Sequence, residues 1–120
     1  MKPLPTICIV GLGYVGLPLA HGFAKKGYPT IGYDIDAGRV SELQAGQDRT
    51  KELSAKELKE VEMRFSNDPK VIADADIVIV ALPTPVDDKN KPDITILKAG
   101  SKTVGAHMKK GTIIVFEGAH

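Results

Sequence analysis

The chain has no tryptophan, only three phenylalanines and three tyrosines, and a single cysteine in 120 residues. With so little aromatic bulk, the core has to be assembled from Ile, Val, Leu and Ala. The lone cysteine, Cys8, excludes an intramolecular disulfide and makes a cysteine-based metal site untenable. Three histidines, His21, His107 and His120, are scattered without metal-ligand spacing and form no part of a catalytic triad. A charge of one sign is missing too: the net charge is +1. The densest charged stretch, 51–62, mixes signs as a solvated helix face does, so no nucleic-acid surface is expected. No apolar run approaches the ~20 residues of a membrane span, and the N-terminus lacks the pattern of a secretory signal. These absences predict a soluble cytoplasmic protein with neither a membrane nor a nucleic-acid partner. The length predicts one domain, residues 1–120.

What is present alternates regularly. Thr6 to Val10 is a short β-branched apolar run stopped by Gly11, the pattern of a strand buried on both faces. Tyr14 to Lys26 carries apolar residues at helical spacing and ends at Gly27. Thr30 to Tyr33 predicts a second strand, and Asp36 caps a helix running to about Ala45. Ser54 and Glu57 have the spacing of a capping box for a helix to about Val61. A brief third strand is expected over Arg64–Ser66, one helical turn over 69–73, and a fourth strand over Asp76–Leu82. A proline-rich loop over 83–93, a helix over Thr95–Met108 and a fifth strand over Thr112–Phe116 complete the series. Gly100 and Gly105 weigh against that last helix, since glycine costs about 1 kcal/mol in a helix interior. Strands alternating with helices at this spacing imply βαβ units and a parallel α/β sheet.

Gly11, Gly13 and Gly16 spell Gly-x-Gly-x-x-Gly directly after an apolar strand and at the opening of a helix. In that context the first glycine allows the tight turn, the second lets backbone approach a pyrophosphate, and the third lets helix pack on strand. The helix N-terminus then offers N–H groups and a positive dipole end to the phosphates. A glycine-rich turn without a ligand is the competing reading. Asp34 favours the first, because it ends the second strand 18 positions beyond Gly16, where a ribose-binding carboxylate belongs. A carboxylate there accepts from the 2′-hydroxyl and repels a 2′-phosphate, which selects NAD over NADP. Arg39, one helical turn further on, could reach the ribose or adenine rim or be an ordinary surface arginine.

Longer stretches carry a resemblance. The run from Val10 through Leu12, Tyr14, Val15 and Leu17 to Pro18 is similar to the opening of the UDP-glucose/GDP-mannose dehydrogenase family, as is Asp34-Ile35-Asp36 followed by Arg39-Val40. Ala81-Leu82-Pro83-Thr84-Pro85 with Pro92-Asp93 resembles the second family signature, and Lys110 to Glu117 the strand before the third. The resemblance spans 7–117 and implies a Rossmann-type doubly wound sheet in three layers. It implies an enzyme that oxidises the C6 hydroxyl of a nucleotide sugar to a carboxylate with two NAD, and a homo-oligomeric parent. The residues it assigns to NAD are Gly11, Leu12, Gly13, Tyr14, Val15, Gly16, Asp34, Ile35, Arg39, Leu82, Pro83 and Thr84. Thr84 could equally be a residue that stiffens a loop between two prolines. Gly46-Gln47-Asp48-Arg49-Thr50 with Glu52 resembles the branch that acts on UDP-N-acetylhexosamines for surface polysaccharides.

The pattern also breaks. After Glu117 the family continues Ser-Thr, whereas this chain reads Gly118-Ala119-His120. The family's catalytic cysteine and lysine and its substrate domains lie beyond this point, so binding of NAD without turnover is expected. Cys8 cannot stand in for the nucleophile, because it lies inside the first strand, and His21 is read as a helix-packing residue. Two other readings share the glycine motif. One is the N-terminal domain of a β-hydroxyacid dehydrogenase, against which Tyr14-Val15 and Leu82-Pro83-Thr84-Pro85 speak. The other is a non-enzymatic NAD-sensing module.

Overall fold

A computed structural model describes residues 4–83, 86, 89–91 and 93–117. Its first strand, β1 (Ile7–Val10), is buried along its whole length. It is flanked by β2 (Thr30–Tyr33) on one side and β4 (Ile77–Val80) on the other, with Ile7 level with both Thr30 and Ile77. The outer strands are β3 (Arg64–Ser66) beside β2 and β5 (Ile113–Phe116) beside β4, and every pairing is parallel. The spatial order β3-β2-β1-β4-β5 makes the sheet doubly wound, with the direction of winding reversing between β1 and β4.

Alternation along β1 separates two apolar layers. Ile7 and Ile9 join Leu12, Leu17, Ala20, Leu43, Leu53 and Leu58 on one face, beneath helices α1 (Gly16–Lys25), α2 (Ala37–Gln44) and α3 (Ala55–Lys59). Cys8 and Val10 face the other way, packing with Val71, Ile72, Val78 and Val104 beneath α4 (Thr95–His107) and a 3-10 helix over Pro69–Asp74. Two helical layers therefore sandwich the sheet, the three layers expected. At about 0.8 kcal/mol per buried methylene, these aliphatic side chains supply the driving force that aromatics supply elsewhere. Among the described residues no helix is long and apolar enough to cross a membrane.

Local chemistry explains most boundaries. Asp36 caps α2 by accepting from the N–H groups of Gly38 (2.9 Å) and Arg39 (3.2 Å). The capping box of α3 is complete: Glu57 N–H donates to Ser54 Oγ, and Ser54 N–H donates to Glu57 Oε1, both at 3.1 Å. Three elements are shorter than the sequence suggests by two residues or more. α1 begins at Gly16 rather than Tyr14, because Gly13 to Val15 form the turn out of β1. α3 stops at Lys59, after which Glu60 meets His21 across 3.1 Å. β4 is the four residues Ile77–Val80, although Asp76 and Ala81 still donate to the Thr6 and Val10 carbonyls at 2.8 Å. The helix over Thr95–His107 forms despite its glycines. A Cβ on Gly100 would stand 2.1 Å from Leu82 Cδ1, so close packing on the end of β4 favours glycine there.

Candidate dinucleotide site

The carboxyl ends of β1, β2, β4 and β5 open on one cleft of about 400 Å³ at the reversal of winding. The segment after β1 contributes Gly11 to Val15, that after β2 contributes Asp34 and Ile35, and that after β4 contributes Ala81 to Pro83. Ile96 of α4 and Glu117 after β5 complete the lining. Of the sequence candidates, Gly11, Leu12, Gly13, Tyr14, Val15, Asp34, Ile35, Leu82 and Pro83 are thus brought together, while Gly16 and Arg39 stand behind the wall. Thr84 lies outside the described residues.

The three glycines differ in what holds them. Gly11 has φ +100°, a conformation that L side chains rarely adopt, and a Cβ there would lie 2.8 Å from the Ala81 carbonyl oxygen. A Cβ on Gly16 would sit 1.7 Å from the Gly11 carbonyl oxygen, so α1 can seat on the turn only with glycine at that point. Around Gly13 a Cβ would meet nothing among the described residues within 4 Å. The protein's own packing therefore does not require glycine at Gly13, and the open space lies on the cleft, where a phosphate group fits.

The turn is also clamped electrostatically. Leu12 N–H donates to Asp34 Oδ2, and Asp36 N–H donates to Asp34 Oδ1, both at 2.9 Å. A carboxylate has about four lone-pair sites, so Asp34 keeps acceptor capacity for two further hydroxyl donors. At the head of α1, Val15 makes no side-chain cap bond and the first turn carries no acidic side chain. That helix end is left positive, as an anion site requires. Tyr14, Val15, Ile35 and Ile96 stand exposed around the mouth, an apolar rim suited to the faces of a heterocyclic base or nicotinamide ring.

Arg39 is not the rim residue that its spacing suggests. Only 6% exposed, it points inward, where Nε donates to the Leu12 carbonyl (2.9 Å) and Nη1 to Glu42 (3.1 Å) and Asp48 (2.8 Å). The physical reason is charge compensation: a guanidinium at the base of the turn finds two carboxylates there, Glu42 and Asp48, while Asp34 at the mouth accepts from the Leu12 and Asp36 amides. Asp48, which the sequence marks only as part of the Gly46–Thr50 segment, stands beside Arg39 behind the turn. Burial alone would raise its pKa, but bonds from the Thr50 hydroxyl, the Leu53 amide, Arg39 and the Thr50 amide outweigh that and bring it down to about 2. Its only local signal was the Asp-x-Thr turn chemistry of Asp48 to Thr50. Ile96 had none beyond the apolar periodicity of α4, and Glu117 had figured only within a strand pattern.

Cys8 and His21 both lie outside the cleft lining. Cys8 is fully buried, and burial pushes its thiol pKa up to about 12. His21 is 8% exposed and pairs with Glu60 on the α1–α3 side. Among the described residues no group of three or more His, Cys, Asp or Glu is placed to hold a metal ion.

Known proteins show the same arrangement. Residues 5–119 match the model of the UDP-glucose/GDP-mannose dehydrogenase family, NAD binding domain. UDP-N-acetyl-D-glucosamine 6-dehydrogenase of Pseudomonas aeruginosa is 44% identical over 98% of this chain, and the match covers 28% of that protein. Protein CapL of Staphylococcus aureus is 42% identical over 93% of the chain and 26% of its own length. Among solved structures, the UDP-D-ManNAc dehydrogenase of Pyrococcus horikoshii superposes with a TM-score of 0.87 at 29% identity, covering 93% of this chain and 28% of that one. The chain thus spans well under half the length of the relatives it matches. Its parallel sheet, its glycine turn at the reversal of winding and its carboxylate after β2 are those of an NAD-binding domain, and the chain belongs to the UDP-glucose/GDP-mannose dehydrogenase family.

Proposed function

We propose that this chain is the cofactor half of a cytoplasmic UDP-sugar 6-dehydrogenase, and that by itself it binds NAD without turning over. Two relatives with the names UDP-N-acetyl-D-glucosamine 6-dehydrogenase and UDP-N-acetyl-D-mannosamine dehydrogenase, 44% and 32% identical, support a UDP-N-acetylhexosamine as the sugar. The short share of each relative covered supports substrate and catalytic domains elsewhere in the parent enzyme, which we read as a homo-oligomer serving polysaccharide biosynthesis.

In this reading NAD supplies the hydride acceptor for the C6 alcohol. The chain's own residues bind and orient. Asp34 accepts from the adenosine ribose hydroxyls, and its charge disfavours a 2′-phosphate. The N–H groups at the head of α1 and around Gly13 receive the pyrophosphate, and Leu82 and Pro83 border the nicotinamide side. Ile35 and Tyr14 give the cofactor apolar surface.

The observation that carries the proposal is the open space at Gly13 beside a carboxylate already bonded to the adjoining Leu12 amide. Calorimetric titration of NAD into this chain and into Asp34→Ala tests it. Loss of hydrogen bonds to a charged acceptor should weaken binding by about 1.5–3 kcal/mol. Unchanged affinity in Asp34→Ala would remove Asp34 from the site, and oxidation of a UDP-sugar by this chain alone would refute the division of labour.

A further inference from the structure

The cleft is supported from behind by a buried ionic network that cofactor binding, as described, leaves unused. Asp48 lies in the segment between α2 and α3, with its side chain 0% exposed. It accepts four hydrogen bonds. Arg39 Nη1 (2.8 Å), the Thr50 amide (3.0 Å) and the Thr50 hydroxyl (2.6 Å) reach Oδ1, and the Leu53 amide (2.9 Å) reaches Oδ2. Glu42 accepts from the same Arg39 nitrogen at 3.1 Å and also holds the Arg49 side chain. Arg39 Nη2 is buried with no hydrogen-bond partner among the described residues. A guanidinium in that position is costly to desolvate, and losing one of its carboxylates would leave the charge under-compensated.

The network ends on the glycine turn. Arg39 Nε donates to the Leu12 carbonyl at 2.9 Å, while the Leu12 amide donates to Asp34. The Leu12 carbonyl and the Gly13 N–H belong to one planar trans peptide, so they point in opposite directions. Holding the carbonyl against Arg39 therefore turns the Gly13 N–H away from the guanidinium. Gly13 has no Cβ, and one built there would meet nothing among the described residues within 4 Å, so no side chain at Gly13 restrains that plane against rotation.

We propose that Asp48 is a positioning residue of the dinucleotide site: by seating Arg39 against the Leu12 carbonyl, it fixes the Leu12–Gly13 peptide with its N–H presented to a pyrophosphate oxygen. This rests on the reading that the Gly11–Gly16 turn receives NAD. A segment between two helices, remote from the glycine motif in sequence, thereby sets the geometry of the phosphate turn.

The test uses the 120-residue chain and the variants Asp48→Ala, Arg39→Met and their double. Glu57→Ala, which loosens the neighbouring cap of α3 without touching Arg39, serves as control. NAD affinity, the Gly13 amide resonance of the ligand-free protein and the melting temperature are measured for each. The two single variants should each weaken NAD binding about tenfold, the double should be no weaker than either, and both should shift the ligand-free Gly13 amide alike. Glu57→Ala should lower the melting temperature and leave affinity and the Gly13 amide unchanged. Additive effects in the double variant, or a lower melting temperature with unchanged affinity in Asp48→Ala, would overturn the proposal. If the unmodified chain fails to bind NAD, the cofactor reading fails, and the Gly13 amide still decides the strut: an unshifted resonance in Asp48→Ala refutes it. Should Asp48→Ala not fold, Asp48→Asn takes its place with the same expected direction on all three measurements.

Discussion

Gly13→Ala is the perturbation that best separates what this fold needs from what its ligand needs. Among the described residues a Cβ on Gly13 meets nothing within 4 Å, and the backbone there is not in the left-handed region. A Gly→Ala change at such a position restricts the unfolded chain and stabilises by about 0.4–1 kcal/mol. For a domain of this size that corresponds to a melting temperature raised by about 2–4 °C, and in no case lowered. Gly16→Ala is the opposite case. Its Cβ would stand 1.7 Å from the Gly11 carbonyl oxygen and 2.8 Å from the carbonyl carbon, so backbone has to move. Overpacking against backbone costs about 3 kcal/mol or more, a fall of roughly 12 °C. Binding should invert the order of innocence. The methyl of Gly13→Ala occupies the space where the pyrophosphate passes, and a clash of about 1.5–3 kcal/mol weakens NAD by about 10- to 150-fold. Because the chain has no tryptophan, intrinsic Trp fluorescence cannot report occupancy, so isothermal titration calorimetry is the assay, with thermal melts run in parallel. A folded Gly13→Ala that binds NAD like the unmodified chain would refute the route assigned to the pyrophosphate. A melting temperature that falls as far as that of Gly16→Ala would refute the open space itself.

Other measurements address separate parts of the account. NADP should bind at least about tenfold more weakly than NAD, and Asp34→Ala should narrow that gap, as competition calorimetry will show. Asp48 has its pKa lowered from 3.8 to about 2, so its stabilisation is complete above the unfolded value and is lost as pH falls from about 4 towards 2. That contribution is about 2 kcal/mol. Urea midpoints at pH 6 and pH 2.5 should therefore converge between the unmodified chain and Asp48→Asn at the acid end. Cys8, fully buried and with its pKa raised to about 12, should resist a thiol reagent at pH 8 and react only at the rate of global opening, whereas full reactivity in urea should be immediate.

Strand–helix alternation, the glycine spacing and the carboxylate after the second strand were legible in the linear chain because each rests on contacts within a few residues or on hydrophobic period. Asp36 and the Ser54–Glu57 pair are of this kind: the side chain and the amides it caps are three residues apart or fewer. Three features were decided only by tertiary structure. Arg39 was placed by burial and by Asp48, nine positions away, and not by its own helical turn. Gly100 lies within a helix that intrinsic propensity opposes, where Leu82 packs against the space a Cβ would take. Ile96 and Glu117 joined the cleft because parallel winding brings the ends of β4 and β5, and the helix between them, beside the ends of β1 and β2. Local chemistry therefore announced where a dinucleotide's phosphates and ribose belong. The walls of the cleft, and the buried arginine that holds its turn, exist only once distant segments share one low-dielectric interior, where a charge has to find its partner whatever the sequence separation.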